Sequence, residues 1–197
     1  DGIVTDIVKQ CVWQGNGDSL TSVMSADLNL WLVTAQSARL LKETSLKDKI
    51  IAITRNSAED FFADKIMEFA KLLPTELNKP QINKLRLRTL MVDQNQIDGA
   101  LLPEPYASEA EARGAKRLAS TLSLRLPSMM TVLFPDSICE KRKADVDGIA
   151  KVYDMAVEML NADSLSNRLN FIPEENCVYL PDTLYKPVTY RKSTHTN

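Results

Sequence analysis

The sequence has no excess of charge of one sign and no long apolar run. It holds 24 lysines and arginines against 26 acidic residues, which gives a formal net charge of −2 at pH 7. A nucleic-acid-binding domain normally carries a basic excess on one face, so this balance argues against that class. A membrane-spanning helix needs about 18 or more consecutive apolar residues, and no stretch approaches that length. The composition therefore favours a globular protein that does not bind nucleic acid.

Histidine and cysteine are too few and too scattered to predict a catalytic or metal site. His195 is the one histidine and lies in the polar tail, while Cys11, Cys139 and Cys177 are far apart and form no C-x-x-C pair. Zinc sites and thioredoxin-like sites need such pairs, and a nucleophilic triad needs a histidine within the folded part. We predict no catalytic residue, no metal and no cofactor, and we interpret the cysteines as buried or idle thiols.

The two ends of the chain differ in character. The first residues, Asp1 and Gly2, lead directly into the apolar pair Ile3-Val4 without a methionine or a polar lead-in. We interpret the chain as a fragment, so the missing targeting segment carries no weight. The last seven residues, 191–197, are polar, and we expect them to be frayed.

Segments typical of strands and of helices alternate along the chain. The expected strands are 22–26, 30–34, 49–54, 85–87, 100–102, 116–119 and 129–134, and the expected helices are 7–13, 58–73, 90–96, 105–113 and 144–160. Alternation of strands with helices of this length predicts an α/β fold with mixed, mostly parallel sheets that helices cover.

Two of the expected helices have clear terminal signals. Ser57 followed by Asp60 fits a capping pattern, as does Asn56 with Glu59. The apolar residues of that helix, Phe62, Ile66, Phe69 and Leu73, recur at helical spacing. The helix 105–113 has proline at its first turn and Gly114 just past its end, which is the usual asymmetry.

One pattern occurs twice, about a hundred residues apart. Residues 1–6 and 98–104 each begin with Asp-Gly, continue as a short apolar strand and end on an acid, Asp6 or Glu104, where a helix begins. Ligands of open α/β sheets bind beyond the carboxyl ends of strands, against helix N-termini. The repeat suggests two similar lobes with a cleft between them, although short Asp-Gly strands are common enough to recur by chance.

These segments carry a resemblance to a known family, the type II periplasmic substrate-binding proteins of ABC transporters. The branch is the one that binds nitrate, sulfonates, taurine and thiamine precursors. Residues 97–106, Ile-Asp-Gly-Ala-Leu-Leu-Pro-Glu-Pro-Tyr, look like its second-lobe signature. Four further segments are similar in the same order along the chain: 1–6 to the third strand of the first lobe, 45–53 to the entry into the second, 129–135 to the returning strand, and 144–160 to the long first-lobe helix.

The resemblance implies a two-lobed fold of which this chain has an incomplete first lobe. Family members have roughly 80 to 90 residues before the point where this chain starts, a domain-sized piece that carries the first strands. Lobe one would be residues 1–40 and 123–197, and lobe two residues 41–122, with hinges near 37–44 and 122–126. The strand at Ile3 would then lie at an open sheet edge, and Ile7, Val8, Met155 and Met159 would lose covering surface. The sequence departs from the family at Asp48, which directly precedes Lys49 where the family has a glycine.

The resemblance also implies which residues contact the ligand, at four corners of the two lobes. They are Thr5 and Asp6; Ser25, Asp27 and Asn29; Asn56, Ser57 and Ala58; and Glu104, Pro105 and Tyr106. Helix N-termini offer free N–H groups to an anionic or carbonyl group, and Glu104 is suited to an amine or amidine. Each residue also has a simpler interpretation, because capping residues are often only caps and Tyr106 or Trp31 can be packing residues.

The implied function is that of the extracytoplasmic solute-binding component of an ABC importer, located in the periplasm or anchored to a membrane as a lipoprotein. Its partners would be a membrane permease and a small ligand: a thiamine precursor, a sulfonate or another small anion. The protein would not be an enzyme. Two alternatives stay open, since fold does not fix function. One is an enzyme of cofactor biosynthesis on the same fold, and the other is the ligand-sensing domain of a regulator.

Overall fold

A computed structural model describes residues 2–40, 42–127, 129–162 and 194–195. Its helices and strands alternate over most of this length, which confirms the α/β class. The strands are β1 (Ile3–Asp6), β2 (Leu20–Ala26), β3 (Leu30–Thr34), β4 (Lys49–Ala52), β5 (Leu77–Asn78), β6 (Gly99–Pro103), β7 (Lys116–Ser120), β8 (Met130–Pro135) and β9 (Thr194–His195). The helices are α1 (Ile7–Gly15), α2 (Ala58–Ala70), α3 (Leu85–Asp93), α4 (Tyr106–Ala112), α5 (Asp136–Lys141) and α6 (Lys143–Ala162).

The chain divides into two compact units. The first unit holds the residues up to Leu28 and takes up the chain again at Pro127, and the second unit holds residues 29–126. The strand β3 therefore belongs to the second unit, whereas the limits expected from the sequence put residues up to 40 in the first lobe. The chain passes between units next to Leu28 and Pro127, outside the expected hinge at 37–44.

The sheet of the first unit has the strand order β1-β8-β2-β9. The strand β8 is antiparallel to both of its neighbours, with Thr131 opposite Thr5 of β1 and Ser25 of β2. The C-terminal strand β9 pairs with β2 at Met24 and Ser25, so this part of the expected frayed tail is a strand. Among the described residues, β1 pairs only with β8, which makes it the edge strand that the sequence predicted.

The sheet of the second unit has the strand order β5-β4-β6-β3-β7. The strand β4 is parallel to β5 and to β6. The strand β3 is antiparallel to both β6 and β7. The core on one side of this sheet includes Val33, Ala52, Ala100 and Leu102, with Ala107 and Ala110 of α4 packed among them. Helices α3 and α4 therefore lie close to the end of β6.

The expectation of mostly parallel pairing is wrong at the level of neighbouring strands, although the sheets are mixed as expected. The units β1-α1-β2 and β6-α4-β7 are each a parallel pair joined by a helix, as alternation predicts. In each case another strand, β8 or β3, lies between the two members and runs against both. Sequence alternation reports the connection of two strands and does not reveal a third strand inserted from elsewhere in the chain.

Helix α2 begins as the sequence predicts but packs with a different face. Ser57 caps it, and it ends where Lys71 takes a left-handed conformation at φ 58°. Phe62 and Ile66 are buried, whereas Phe69 and Leu73 are exposed by 62% and 63%. The buried face also includes Ala58, Ala63, Met67 and Ala70. Three alanines and a methionine, and not only Phe62 and Ile66, complete the buried stripe.

The expected strand at 85–87 is also wrong, because these residues form the first turn of α3. Leu85 is half-buried, and the face of α3 turned inward consists of Arg88, Thr89 and Val92. A short apolar run does not distinguish a strand from a helix, and here two polar residues on the buried face conceal the helical period.

Helix α6 has two apolar faces, and the described residues cover only one of them. Val146, Ala150 and Val157 are buried, the first two against Met24 and Phe134 of the sheet. Val152, Met155 and Met159 are exposed by 60% or more, as is Val4 of β1 at 63%. The expected exposure at Met155 and Met159 is thus observed, whereas Ile7 and Val8 are half-buried. That the edge of β1 and this face recruit another chain stays a prediction.

Gly99 in β6 has no room for a side chain, whereas Gly148 in α6 has open space. A Cβ atom on Gly99 would lie 2.6 Å from the carbonyl oxygen of Val33, while nothing lies within 4 Å of one on Gly148. We expect Gly99→Ala to destabilise the protein by about 1–3 kcal/mol, because the strands must separate. Gly148→Ala should stabilise it by about 0.5–1 kcal/mol, because alanine loses less entropy in a helix.

Urea unfolding of the two variants and of the parent chain measures both effects. Equal effects of the two substitutions would contradict the close approach of β3 to β6 at Gly99.

Candidate functional site

The candidate residues of the first unit lie at one edge of its sheet. Because β1 and β2 both run antiparallel to β8, their carboxyl ends lie at the same side of the sheet, and "edge" is used below for that side. Thr5, Thr131 and Ser25 stand side by side on the three strands in register. The Thr131 hydroxyl is buried and lies 2.8 Å from the hydroxyl of Ser22. The structure thus brings Thr5 and Ser25 together in a row of hydroxyl groups, to which the sequence analysis did not assign Thr131 or Ser22.

Asp6 is a helix cap. Its Oδ1 atom accepts hydrogen bonds from the backbone N–H groups of Val8, at 3.1 Å, and Lys9, at 3.0 Å. The side chain is nearly buried, with the Lys9 ammonium group 4.0 Å from Oδ2. The simpler interpretation of this residue, as a cap of α1, accounts for its conformation.

Asp27 and Asn29 lie in the loop between β2 and β3, where the chain passes from the first unit to the second. Both are half-buried. They follow Ser25 by only two and four residues, so they extend the edge of the first sheet toward the crossing point.

Asn56, Ser57 and Ala58 form the first corner of the second unit, between β4 and α2. Asn56 is exposed and has a left-handed conformation with φ 52°. Asparagine is among the few residues that tolerate this conformation. The Ser57 hydroxyl donates to the carbonyl oxygen of Thr54, at 2.7 Å, and accepts from the N–H of Glu59, at 3.2 Å. This corner is therefore a tight, internally bonded turn that opens α2.

Both acids in the first turn of α2 have a cationic partner. Glu59 is paired with the guanidinium of Arg88, at 2.7 Å, and Asp60 with the ammonium group of Lys79, at 2.6 Å. Acidic side chains at a helix N-terminus would repel an anion there, but these charges are compensated within the unit. The corner therefore combines the positive end of the α2 dipole with the exposed cation of Arg55, which is close enough to act on Asp60.

Glu104, Pro105 and Tyr106 form the second corner, between β6 and α4, at the same sheet edge because β4 and β6 are parallel. The two carboxylate oxygens of Glu104 are both occupied. Its Oε1 atom accepts from Arg117, at 2.6 Å, and its Oε2 atom accepts from the Ser108 hydroxyl, at 2.8 Å, and from the Ser108 N–H, at 3.1 Å. The corner holds its acid in an ion pair that is almost completely buried.

Arg117 also connects this corner to the core. Its guanidinium lies over the ring of Trp31, 4.5 Å from the centroid, and donates to Glu111 at 3.0 Å. Tyr106 and Trp31 are both half-buried and pack against the same apolar cluster. Trp31 thus has a packing role and a cation–π contact, and its stacking face is already in use.

The sequence analysis named the residues of the corners but not Arg117 and Arg88, the cations that pair with their acids. Arg117 lies thirteen residues from Glu104, on a different strand, and Arg88 lies on a helix that was expected to begin as a strand. Neither forms part of a local motif. Their only signal was the presence of an arginine on an otherwise apolar face, which the periodicity rules treat as exposed.

Within the described ranges, no group of three or more histidine, cysteine or acidic side chains is arranged to hold a metal ion. Cys11 on α1 is exposed and Cys139 on α5 is half-buried, both as free thiols, while Cys177 lies outside the described residues. None of the described helices is both long and apolar enough to cross a membrane.

Solved structures share this fold. The alkanesulfonate-binding protein SsuA from Xanthomonas axonopodis pv. citri, bound to MOPS, superimposes with a TM-score of 0.77 at 17% identity, over 86% of this chain and 59% of that one. The periplasmic aliphatic sulphonate binding protein SsuA from Escherichia coli gives 0.70 at 18% identity, over 79% of this chain and 54% of that one. The chain has the fold of periplasmic binding proteins of ABC transporters.

The same fold occurs in an enzyme. The desulfurization enzyme DSZB matches with a TM-score of 0.60 at 10% identity, over 81% of this chain and 61% of that one. This chain thus spans a little over half the length of each solved structure, which agrees with an incomplete first lobe. No family model and no curated protein sequence matches the chain.

The charge on Asp60 should stabilise the first corner only above acidic pH. Burial opposes the effect, but hydrogen bonds from Lys79 and from the Asn56 N–H, and the charges of Lys79 and Arg55, lower the pKa of Asp60 below its ordinary value. The stabilisation is therefore present above the unfolded pKa of about 3.9 and is lost as the pH falls through the lower folded value. We expect Asp60→Asn to cost at most about 1 kcal/mol at pH 7, because the pair is partly exposed.

Urea unfolding at pH 7 and near pH 3 measures this difference, which should shrink at the lower pH. The cost of Asp60→Asn should also be smaller in a Lys79→Met background. A cost that is the same at both pH values would show that the carboxylate charge is not its source.

The Glu104–Arg117 pair should be costly to break from one side. We expect Arg117→Met to destabilise the protein by about 3 kcal/mol, because Glu104 is then left charged and buried without its partner. Adding Glu104→Gln should recover part of the loss. Arg142→Met is the matched control, since its pair with Asp145 is more than half exposed and should be worth less than about 1 kcal/mol. Thermal unfolding measures all three; similar losses for Arg117→Met and Arg142→Met would refute the buried pair.

Proposed function

We propose that this chain is the larger part of the solute-binding component of an ABC importer, and that its ligand is a small anion, best represented by an alkanesulfonate. The proposed ligand contacts are, within each unit taken by itself, the row of hydroxyls of the first unit and the two corners of the second. The ligand would be captured outside the cytoplasm and passed to a membrane permease. The likeness in fold to two sulfonate-binding proteins supports this role.

The choice of an anion rests on the hydrogen bonds that Glu104 already accepts from other side chains. This residue is the candidate acid best placed, by its corner, to bind an amine or amidine. Both of its oxygens are instead bonded to Arg117 and Ser108. A cationic ligand would have to share a carboxylate that already accepts three hydrogen bonds and is paired with Arg117, so it would gain less than from an unpaired acid. A thiamine precursor that relies on an amidine-like contact with Glu104 is therefore the weaker candidate.

The α2 N-terminus and the hydroxyl groups of the first unit suit the oxygens of a sulfonate. The α2 N-terminus presents its positive dipole end next to Asn56, while the acids of its first turn are paired with Arg88 and Lys79. Thr5 and Ser25 of the first unit supply hydroxyl groups, which donate to an anion without adding charge. Tyr106 has an apolar ring for the ligand's carbon chain.

An enzyme on this fold is the second candidate, because DSZB shares it. DSZB is a desulfurization enzyme. The eleven candidate residues include no cysteine or histidine, although Cys11 lies on the helix that Asp6 caps and His195 of β9 is paired with Met24, the neighbour of Ser25. The corners thus favour binding over covalent catalysis. The regulator alternative has no observation of its own in its favour.

Thermal unfolding in the presence of ligands tests the proposal. We expect MOPS, ethanesulfonate or nitrate to raise the melting temperature, because a ligand that binds only the folded state stabilises it by about 2.7 kcal/mol at a concentration of 100 Kd. Benzamidine, a cation of comparable size, should have no effect. Stabilisation by benzamidine but by none of the anions would overturn the choice of an anion.

The same samples test the absence of turnover. Incubation with the sulfonate, followed by assay for free sulfite, should detect none. Release of sulfite at a rate of about 1 per second or faster would favour the enzyme.

A further inference from the structure

Arg88 is the largest side chain that the second unit buries completely. Its side chain is 0% exposed. Its guanidinium donates to the carbonyl oxygen of Ile82, to Oε2 of Glu59 at 2.7 Å, to the carbonyl oxygen of Leu101 at 2.7 Å and to the hydroxyl of Thr54 at 2.6 Å. Four of the five donors of the group are therefore used, as the burial of a guanidinium group requires.

The acceptors lie on the segments that lead into both corners. Thr54 follows β4 and begins the turn to Asn56, while Glu59 is in the first turn of α2. Leu101 lies in β6, three residues before Glu104. A single side chain on α3 thus contacts the approach to each corner, although the corners themselves are separated by almost fifty residues of sequence.

Arg88 lies where the backbone ladder between these two strands stops. The pairing of β4 with β6 consists of Ile51 with Gly99 and Ala52 with Ala100. Beyond that point, the Leu101 carbonyl bonds to Arg88 and the Thr54 N–H bonds to Glu59, at 2.6 Å. The ion pair therefore continues the connection between the two strands after their direct hydrogen bonds have ended.

A stability role alone does not account for this geometry. A buried ion pair is often no better for stability than apolar side chains of similar volume. What apolar side chains lack is the planar fork of an arginine, which fixes the directions of several acceptors at once. Lysine carries the charge but has one nitrogen atom and no fork.

We infer that Arg88 is a positioning residue that sets the spacing of the corners 54–58 and 104–106, and so fixes the shape of the ligand site in the second unit. Arg88 touches no ligand itself. Its hydrogen bonds to Thr54 and Leu101 fix the positions of those two residues, while the carboxylate of Glu59 balances its charge. The inference concerns the same site as the proposed function and rests on it for its meaning in ligand binding.

The test separates positioning from stability with a neutral pair of substitutions. Arg88→Met leaves Glu59 buried and charged, so the melting temperature should fall. Adding Glu59→Gln removes that charge and keeps an amide oxygen for the Thr54 N–H, so much of the melting temperature should return. The corners should stay displaced in this double variant, because the Leu101 carbonyl and the Thr54 hydroxyl still have no common donor.

Backbone amide NMR of the 197-residue chain without ligand reports the corners directly. We expect the amides of Thr54, Asn56, Leu102, Glu104 and Tyr106 to shift in both Arg88→Met variants. Affinity for MOPS, measured by calorimetry, should fall roughly tenfold or more in the double variant, which corresponds to the loss of one good contact. Ile66→Ala, a core truncation about two turns into α2, is the control: it should lower the melting temperature and leave these amides and the affinity unchanged.

The outcomes distinguish the two hypotheses. If the double variant recovers its amide positions and affinity along with its melting temperature, Arg88 only stabilises and the inference is wrong. If the parent chain does not bind MOPS, the sulfonate ligand is wrong, and the ligand-free amide shifts still decide the role of Arg88. Should Arg88→Met fail to fold, Arg88→Lys keeps the charge opposite Glu59 and must still displace the amides of at least one corner.

Discussion

Each sheet has an inner strand that runs against both of its neighbours and separates two strands joined by a helix. In the first unit it is β8, between β1 and β2, and in the second it is β3, between β6 and β7. Its two neighbours are then necessarily parallel to each other, so their carboxyl ends, and the turns that follow them, emerge at one edge. The candidate residues occupy that edge: Thr5 and Ser25 in the first unit, and the corner at Glu104 in the second. The inserted strand thus determines where polar groups can gather.

Buried ion pairs fix the turns at this edge in the second unit. Arg117 holds Glu104 and Arg88 holds Glu59, in both cases with additional hydrogen bonds to hydroxyl or carbonyl groups. Charges taken out of water are unfavourable unless they are fully paired, so each cluster has one well-defined arrangement. The apolar packing of α3 and α4 against β6 supplies the dry surroundings in which such pairs are strong.

Local patterns in the sequence were sufficient for the strand–helix order and for the caps. The strand Leu30–Thr34 and the caps Ser57 and Asp6 were predicted from propensity and spacing alone, and the structure confirms them. The short helix α5 was not predicted, because it has no buried residue and therefore no apolar period. The order of strands within each sheet was not predicted, because it depends on pairings between residues that lie from 28 (Lys49 with Leu77) to 171 (Met24 with His195) positions apart.

The candidate site also combines features that are local in the sequence with contacts between distant residues. Its corners follow from Asp-Gly strands, capping residues and a family resemblance, all of which are local in the sequence. The cations that pair with the acids of the corners come from elsewhere in the chain. Arg117 follows α4 in the sequence, whereas Glu104 precedes it. Arg88 is a charged residue on the buried face of α3, where it interrupts the apolar period. A rule that places arginine on the surface must fail at such a position.

The pairing of Glu104 with Arg117, and of Glu59 and Asp60 with their cations, has a kinetic consequence. Acid and base lie within hydrogen-bonding distance in each pair, but two of the cations are shared: Arg117 also pairs with Glu111, and Lys79 also pairs with Asp64. The formal charges therefore cancel in the pair of Glu59 with Arg88, whereas each of the two shared clusters has one more acid than base. The contribution of these two clusters to the encounter with an anion is unfavourable at low salt, and it weakens as the ionic strength rises, because salt screens charges near the surface.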